Sequence, residues 1–232
     1  MSTSEAAFCF PIKRLENSRM ILVPFDFSSH AELFVQGTKE TPELFSYVSQ
    51  GPFSTAADFE AFYESRILST STETLFAILA KPDASNQGGR FAGIIGLQNA
   101  SPNNASIEIG FITVLPAFQR TFVTSNAVGL LLLYTLDLPP AGLGLRRCQW
   151  QSHADNEASK RVATRMQFTF EGVQRFQRVV PATKVGNGFD TSHWPAVMGR
   201  SLGPSRDSAV FAHYCDEWPE RRKIVVAILE RR

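Results

Sequence analysis

The chain has 232 residues, 44% hydrophobic and 19% charged, and its 23 Lys and Arg against 22 Asp and Glu leave a formal net charge of +1. So even a balance offers no global field for capturing nucleic acid, and the composition is that of an ordinary globular protein able to bury a sizeable core. One domain over residues 1–232 is expected, with 1–18 as an N-terminal extension and 181–206 as a long loop insertion.

Residues Arg19–Phe25 (RMILVPF) read as the first strand, and Ser28–Gly37 as a helix opened by its serines. After the turn-prone Gly51-Pro52, the run Ser54–Ser69 sets Phe59, Phe62, Tyr63 and Ile67 at helical spacing behind a Thr55 cap. That stripe has the look of core. Leu75–Ala80 and Phe91–Leu97 are strands joined by PDASNQGGR, a hairpin-loop composition. Ser106–Val114 (SIEIGFITV) follows another turn cluster, so three successive strands pair antiparallel.

A helix over Thr124–Leu138 stops before Pro139-Pro140, which cannot continue it. Then come strand Arg146–Ser152, helix Glu157–Met166 and strand Phe168–Val173, an order that needs crossovers and hence a parallel pair. The stretch Pro181–Ser205 is rich in Pro, Gly, Ser and Asn and reads as a long loop, either a floppy insertion or a lid bearing His193-Trp194. Ser208–Tyr214 is the last strand, and Asp216 or Glu217 caps a terminal helix with Pro219 in its first turn. The basic run near Arg221 reads as a solvated helix end.

The longest apolar run, around Gly129–Tyr134, falls short of the roughly 20 residues that span a bilayer. The N-terminus has Glu5 and neither a basic n-region nor an apolar h-region, so no secretory signal or membrane partner is expected and a cytoplasmic location follows. Cys9, Cys148 and Cys215 are far apart and lack ligand spacing, which predicts reduced thiols and no metal site.

Most of the chemistry lies between Ser106 and Gly172. A strand feeding a helix through the tight turn LPAFQRT leaves the helix's first N–H groups unpaired, where they can hold a phosphate. The turn has no glycine, so neither a P-loop nor a dinucleotide turn is present. The spacing Pro116-x-x-Gln119-Arg120-x-x-x-Thr124, followed by Asn156-x-x-Ser159 after the next strand, resembles the acetyl-CoA-binding core of GNAT N-acetyltransferases, and within them the RimJ/RimL-type branch. The likeness is clearest over Ser106–Gln174 and resumes at Arg206-Asp207-Ser208 and at Glu217-Trp218.

The resemblance implies a mixed α/β (α+β) GNAT-like fold: a central, mostly antiparallel, splayed sheet flanked by helices. It implies acetyl-CoA as cosubstrate and direct attack on the thioester by a primary amine, of a small molecule or a protein N-terminus. Main-chain groups of Ile112 and Val114 would hold the pantetheine and acetyl carbonyl, and amides of Gln119, Arg120, Thr121, Phe122, Val123 and Thr124 would surround the pyrophosphate. Asn156 and Ser159 would lie beside the pantetheine, although a plain helix N-cap explains Asn156 equally well. A homodimer is compatible with this reading.

This chain departs from the family pattern where Phe122 and Thr124 replace two small turn residues, where Ala163 stands at the usual Tyr acid, and where Gln167 stands for the glycine of a Gly-Phe ending. Those three departures favour the alternative, a catalytically inactive acyl-CoA-binding or interaction protein that keeps the fold. For a general base, Glu108 comes first: alternation sets it opposite Ile107, Ile109 and Phe111, and a carboxylate among apolar neighbours can have a raised pKa. His153, which titrates in the right range, is second.

Overall fold

The computed structural model describes residues 7–82, 89–191, 193 and 203–231. Among the described residues eight strands are formed: β1 (Leu15–Glu16), β2 (Met20–Pro24), β3 (Thr74–Ala80), β4 (Arg90–Ser101), β5 (Ser106–Val114), β6 (Arg147–His153), β7 (Thr169–Val179) and β8 (Ser205–Tyr214). The helices are α1 (Phe27–Thr38), α2 (Ala56–Tyr63), α3 (Val123–Leu136), α4 (Glu157–Arg165) and α5 (Trp218–Glu230). All strands share one open sheet in the order β1-β2-β3-β4-β5-β6-β8-β7. Every neighbour pair is antiparallel except β5 and β6, the expected parallel pair.

Local chemistry sets the element ends. Thr55 caps α2 in a reciprocal box with Asp58, as its position suggested. Asp26, and not one of the serines, caps α1, its carboxylate accepting from the Ser29 N–H at 2.9 Å. Glu217 sits at the N-cap of α5 without a side-chain cap bond. The described part of the N-terminal extension is tied down, with β1 paired to β2 and the Tyr134 hydroxyl donating to the Pro11 carbonyl.

The two faces of the sheet bury different cores. On one, Ile107, Ile109 and Val114 pack with α3 and α5; on the other, Phe34, Phe45, Phe59 and Phe111 form an aromatic cluster with α1 and α2. Helix α3 buries twelve of its 14 residues because it is apolar nearly all round and lies between sheet and α5. Gly129 permits that approach: a Cβ there would stand 2.5 Å from Leu229. Among the described residues, no helix is long and apolar enough to cross a membrane.

Phe111 corrects the simple alternation expected of β5. Register between β4 and β5 shifts from Ile94↔Thr113 to Gly96↔Gly110, and Phe111 takes up φ 54°. That bulge turns its ring away from Ile107 and Ile109 to the aromatic side. Gln167, where the resembled family has glycine, adopts φ 67° at the end of α4, a left-handed conformation costing a side-chain-bearing residue about 1 kcal/mol. The predicted 181–206 insertion is also too long by two residues, since Ser205 and Arg206 already pair in β8.

His213 makes stability depend on pH. Its Nε2–H donates to the Met166 carbonyl at 2.9 Å, and its ring packs on Phe168 and Trp218. Burial pushes its pKa down to about 4, against the opposing pull of the Met166 carbonyl. A folded value below the unfolded one of about 6.5 means the unfolded chain takes up the proton first. This contribution is therefore complete above about pH 6.5 and is lost as pH falls toward 4, on the order of 3 kcal/mol in all. Melting temperatures across that window should fall with acid in the wild type and fall less steeply in His213→Phe. Identical slopes would contradict the assignment.

Candidate active site

β6 pairs with β5 only from Ser106 to Glu108. Beyond that the strands part, and the β6-facing edge of β5 from Ile109 to Val114 has no strand beside it. A cavity of about 490 Å³ opens in the gap, walled by Ile112 and Val114 on one side, Trp150 on β6, and Asn156 and Ser159 at the start of α4. Unpaired strand edges demand a partner. An extended ligand arm with its own amides can supply one.

Asn156 serves the local fold and the cavity at once. Its Oδ1 accepts from the Ser159 N–H at 3.0 Å, the N-cap bond of α4, and the Ser159 Oγ accepts from the Trp150 indole at 3.0 Å. Both residues still line the cavity, so the two readings of Asn156 coexist.

The turn before α3 begins as a short 3-10 segment at Pro116–Phe118 and passes through Arg120 at φ 59°. The Gln119 N–H donates to the Pro116 carbonyl at 3.2 Å, and the Val123 N–H donates to the Thr121 hydroxyl at 3.3 Å. Among the described residues this leaves without partners the N–H groups of Arg120, Thr121 and Phe122, and those of Thr124 and Ser125 in the first turn of α3. They lie at a helix start with no acidic side chain in its first turn, where the helix dipole favours an anion. Gln119 and Thr124 reach the cavity wall, whereas Arg120 and Thr121 are exposed and the Val123 side chain is core.

The Phe122 side chain is not among the residues lining the cavity. Its ring lies under the Arg19 guanidinium at 3.7 Å, against the main core. Phe122→Ala should therefore leave coenzyme A affinity within about threefold while costing about 1 kcal/mol of stability. Calorimetric titration and thermal melts check the two parts separately.

Glu108 is buried on the cavity wall, and its neighbours correct the expected apolar setting. Its carboxylate accepts from Gln98 at 2.6 Å, Asn99 at 2.9 Å and Gln149 at 3.0 Å. Gln149 is itself oriented by Arg147, which donates to its Oε1 at 2.9 Å and is held by Glu171. A carboxylate has about four lone-pair sites, so one remains for a group in the cavity.

His153 also lines the cavity, 1% exposed and under the Tyr47 ring at 5.1 Å. Burial pushes its pKa down, with Asp155 opposing. Its Nδ1 accepts from the Asp155 N–H at 3.1 Å, an assignment that puts the ring proton on Nε2. In that tautomer the buried Nε2–H has no hydrogen-bond partner among the described residues.

Sequence reasoning missed Tyr47, Arg66, Arg178 and Arg206, all on the cavity wall but dispersed over separate elements. Arg206 alone had a signal, in the Arg206-Asp207-Ser208 match. Part of the long loop folds over this end: the Lys184 ammonium donates to the carbonyls of Phe45 and Gln50, both at 2.9 Å, and of Gly51, and the Val185 N–H donates to that of Ser46. Burial pushes the Lys184 pKa down. His193 is exposed, and Trp194 lies outside the described residues.

A sheet parted at its one parallel pair, with a cavity in the gap and free amides at a helix start beside it, defines the architecture of the acetyl-CoA-dependent acetyltransferases. Residues 19–169 match the family model described as Acetyltransferase (GNAT) domain, and the chain belongs to that family. Acetyl-CoA is the family's cosubstrate, and this chain is an acetyltransferase of it. A GCN5-related N-acetyltransferase from Brucella melitensis is 27% identical, with a TM-score of 0.73 over 93% of this chain and 84% of that one.

The same fold occurs in Mycobacterium smegmatis RimJ in complex with CoA-disulfide, at 16% identity and TM-score 0.64 over 93% of this chain and 92% of that one. It occurs again in the Salmonella typhimurium acetyl transferase that modifies the N-terminal serine of ribosomal protein L7/L12, at 17% and 0.61 over 87% and 99%. No curated protein gives a significant match.

Proposed function

We propose that the chain transfers the acetyl group of acetyl-CoA directly to a primary amine, of a small molecule or a protein N-terminus. The observation that carries this is the parting of β5 from β6 onto a cavity whose wall holds a fixed carboxylate, Glu108. Acetyl-CoA supplies an activated acetyl thioester. The free edge of β5 at Ile112 and Val114 holds its pantetheine arm, Asn156 and Ser159 flank it, and the amides of Arg120, Thr121 and Phe122 take the pyrophosphate.

Glu108 accepts a proton from the incoming ammonium, leaving the amine lone pair free to attack. The amides of Gln98, Asn99 and Gln149 hold that carboxylate in one place, so no reorganisation is needed at the moment of transfer. A covalent acyl-enzyme has little support: none of the cavity's lining residues is a cysteine, and burial pushes the Cys148 thiol up to about 12. Ala163 is buried in the core and supplies no proton to the departing thiol, whereas Tyr47 places a phenol on the cavity wall.

Thiol release from acetyl-CoA across a broad panel of amines, with mass spectrometry of the products, tests this reading. Turnover with a product heavier by one acetyl group is expected. Binding of coenzyme A without turnover of any amine would contradict it.

A further inference from the structure

The acceptor end of the cavity carries more positive charge than the transfer itself requires. Arg178 on β7 and Arg206 on β8 stand directly opposite each other, and both line the cavity together with Arg66. Arg66 is paired with the buried Glu73 at 2.7 Å. Arg206 is 6% exposed, its Nε has no hydrogen-bond partner, and among the described residues no carboxylate is ion-paired with it or with Arg178.

Glu108 shares the cavity with them, but three amides already occupy it. Arg206 is withdrawn from water beside the half-buried Arg178, and the carboxylates near them are Glu108, already held by three amides, and Glu73, which Arg66 pairs and Arg178 also attracts; three cations against two anions leave the cluster short of an anion. Burial and then Arg178 lower the Arg206 pKa to about 10, with Glu108 opposing. Guanidinium forks match a carboxylate by paired hydrogen bonds.

This end is also covered. Lys184 bonds to three carbonyls of the 45–51 segment, Val185 joins Ser46, and the Tyr47 ring lies over His153. Such a seat suits a small molecule better than a polypeptide. Resting on the amine-acetylation reading above, we infer that the acceptor is a small aminocarboxylate, its carboxylate seated on Arg178 and Arg206 and its amine turned toward Glu108 and the edge of β5. The amine nitrogen bonds to the acetyl carbon as the carbon–sulfur bond breaks. Of the ammonium's three protons, one passes through Glu108 to water, one goes to the departing thiolate, and one stays on the new amide.

The test measures thiol release from acetyl-CoA with free α-, β- and γ-amino acids, with their carboxamides, and with peptides carrying an acidic second residue. At least one free acid should exceed its carboxamide by about tenfold or more in kcat/KM, and Arg206→Gln should bring the pair within about threefold, chiefly through KM. Arg206→Lys should fall between. Arg178→Gln, at a half-buried position, repeats the comparison should Arg206→Gln not fold.

Carboxamides or acidic peptides that match every free acid in the wild type would overturn the inference while leaving amine acetylation intact, as would a preference that survives both substitutions. If no amine releases thiol, the amine reading itself fails. Titrating the coenzyme A-saturated protein with N-acetylated acids and their carboxamides then decides the anion seat: tighter binding of the acids supports it, and equal binding overturns it.

Discussion

Glu108→Gln is expected to lower kcat/KM at neutral pH by about 10²–10⁴-fold, the usual worth of a positioned general base. Three side-chain amides now donate to this carboxylate, and Gln149 cannot simply turn over, because Arg147 fixes its Oε1. The variant therefore loses the proton acceptor and also puts an amide N–H against a donor. The loss should shrink as pH rises, because the acceptor amine then deprotonates in solution and no longer needs the carboxylate. Affinity for acetyl-CoA should stay within about twofold, since Glu108 lies where β5 and β6 are still paired. An unchanged pH–rate profile would remove Glu108 from the proton transfer.

The second large effect concerns cosubstrate binding. Ala158 lies in the first turn of α4, exposed, yet on the cavity wall between Asn156 and Ser159. Ala158→Trp puts an indole into that space without disturbing the N-cap bond or the core. Stability should change by less than about 1 kcal/mol, as for most exposed positions. Coenzyme A affinity should fall by about 100-fold or more, because the pantetheine and the indole need the same volume. Calorimetry and a thermal melt on one preparation separate the two; retained affinity would place the arm elsewhere.

The sequence made the strands β2 to β5 legible because they are short apolar runs bounded by turn residues, such as RMILVPF and SIEIGFITV, and the central ones, β3 and β4, are continuously apolar because both faces of the sheet are covered. β1 is too short, at two residues, to leave a pattern. The bulge at Phe111 was hidden for a different reason. Phe111 and Ile112 are successive apolar residues, so the alternation slips by one there, but such a slip does not say which residue is displaced, and a positive φ on a phenylalanine has no signature in composition. Gln167 is the reverse case, where a family glycine pointed to the left-handed position that this chain keeps.

At the candidate site, contiguous segments were readable and assembled ones were not. Glu108, Asn156 and Ser159 lie in recognisable strand and cap contexts, so their place on the cavity wall could be anticipated. The amide cage around Glu108 joins β4, β5 and β6, and the arginine cluster joins the helical turn Glu64–Leu68, just after α2, to β7 and β8. Nothing in local periodicity encodes those meetings. The Phe122 concern was likewise a question of direction: the residue sits in the turn, but its ring is taken by Arg19.

A crystal structure of the chain with bound acetyl-CoA bears most directly on the central claim. The account predicts the pantetheine arm running along the free edge of β5 against Ile112 and Val114, with the pyrophosphate on the amides of Arg120, Thr121 and Phe122. Electron density for the cosubstrate outside the gap between β5 and β6, or a gap that stays closed at saturating acetyl-CoA, would contradict it.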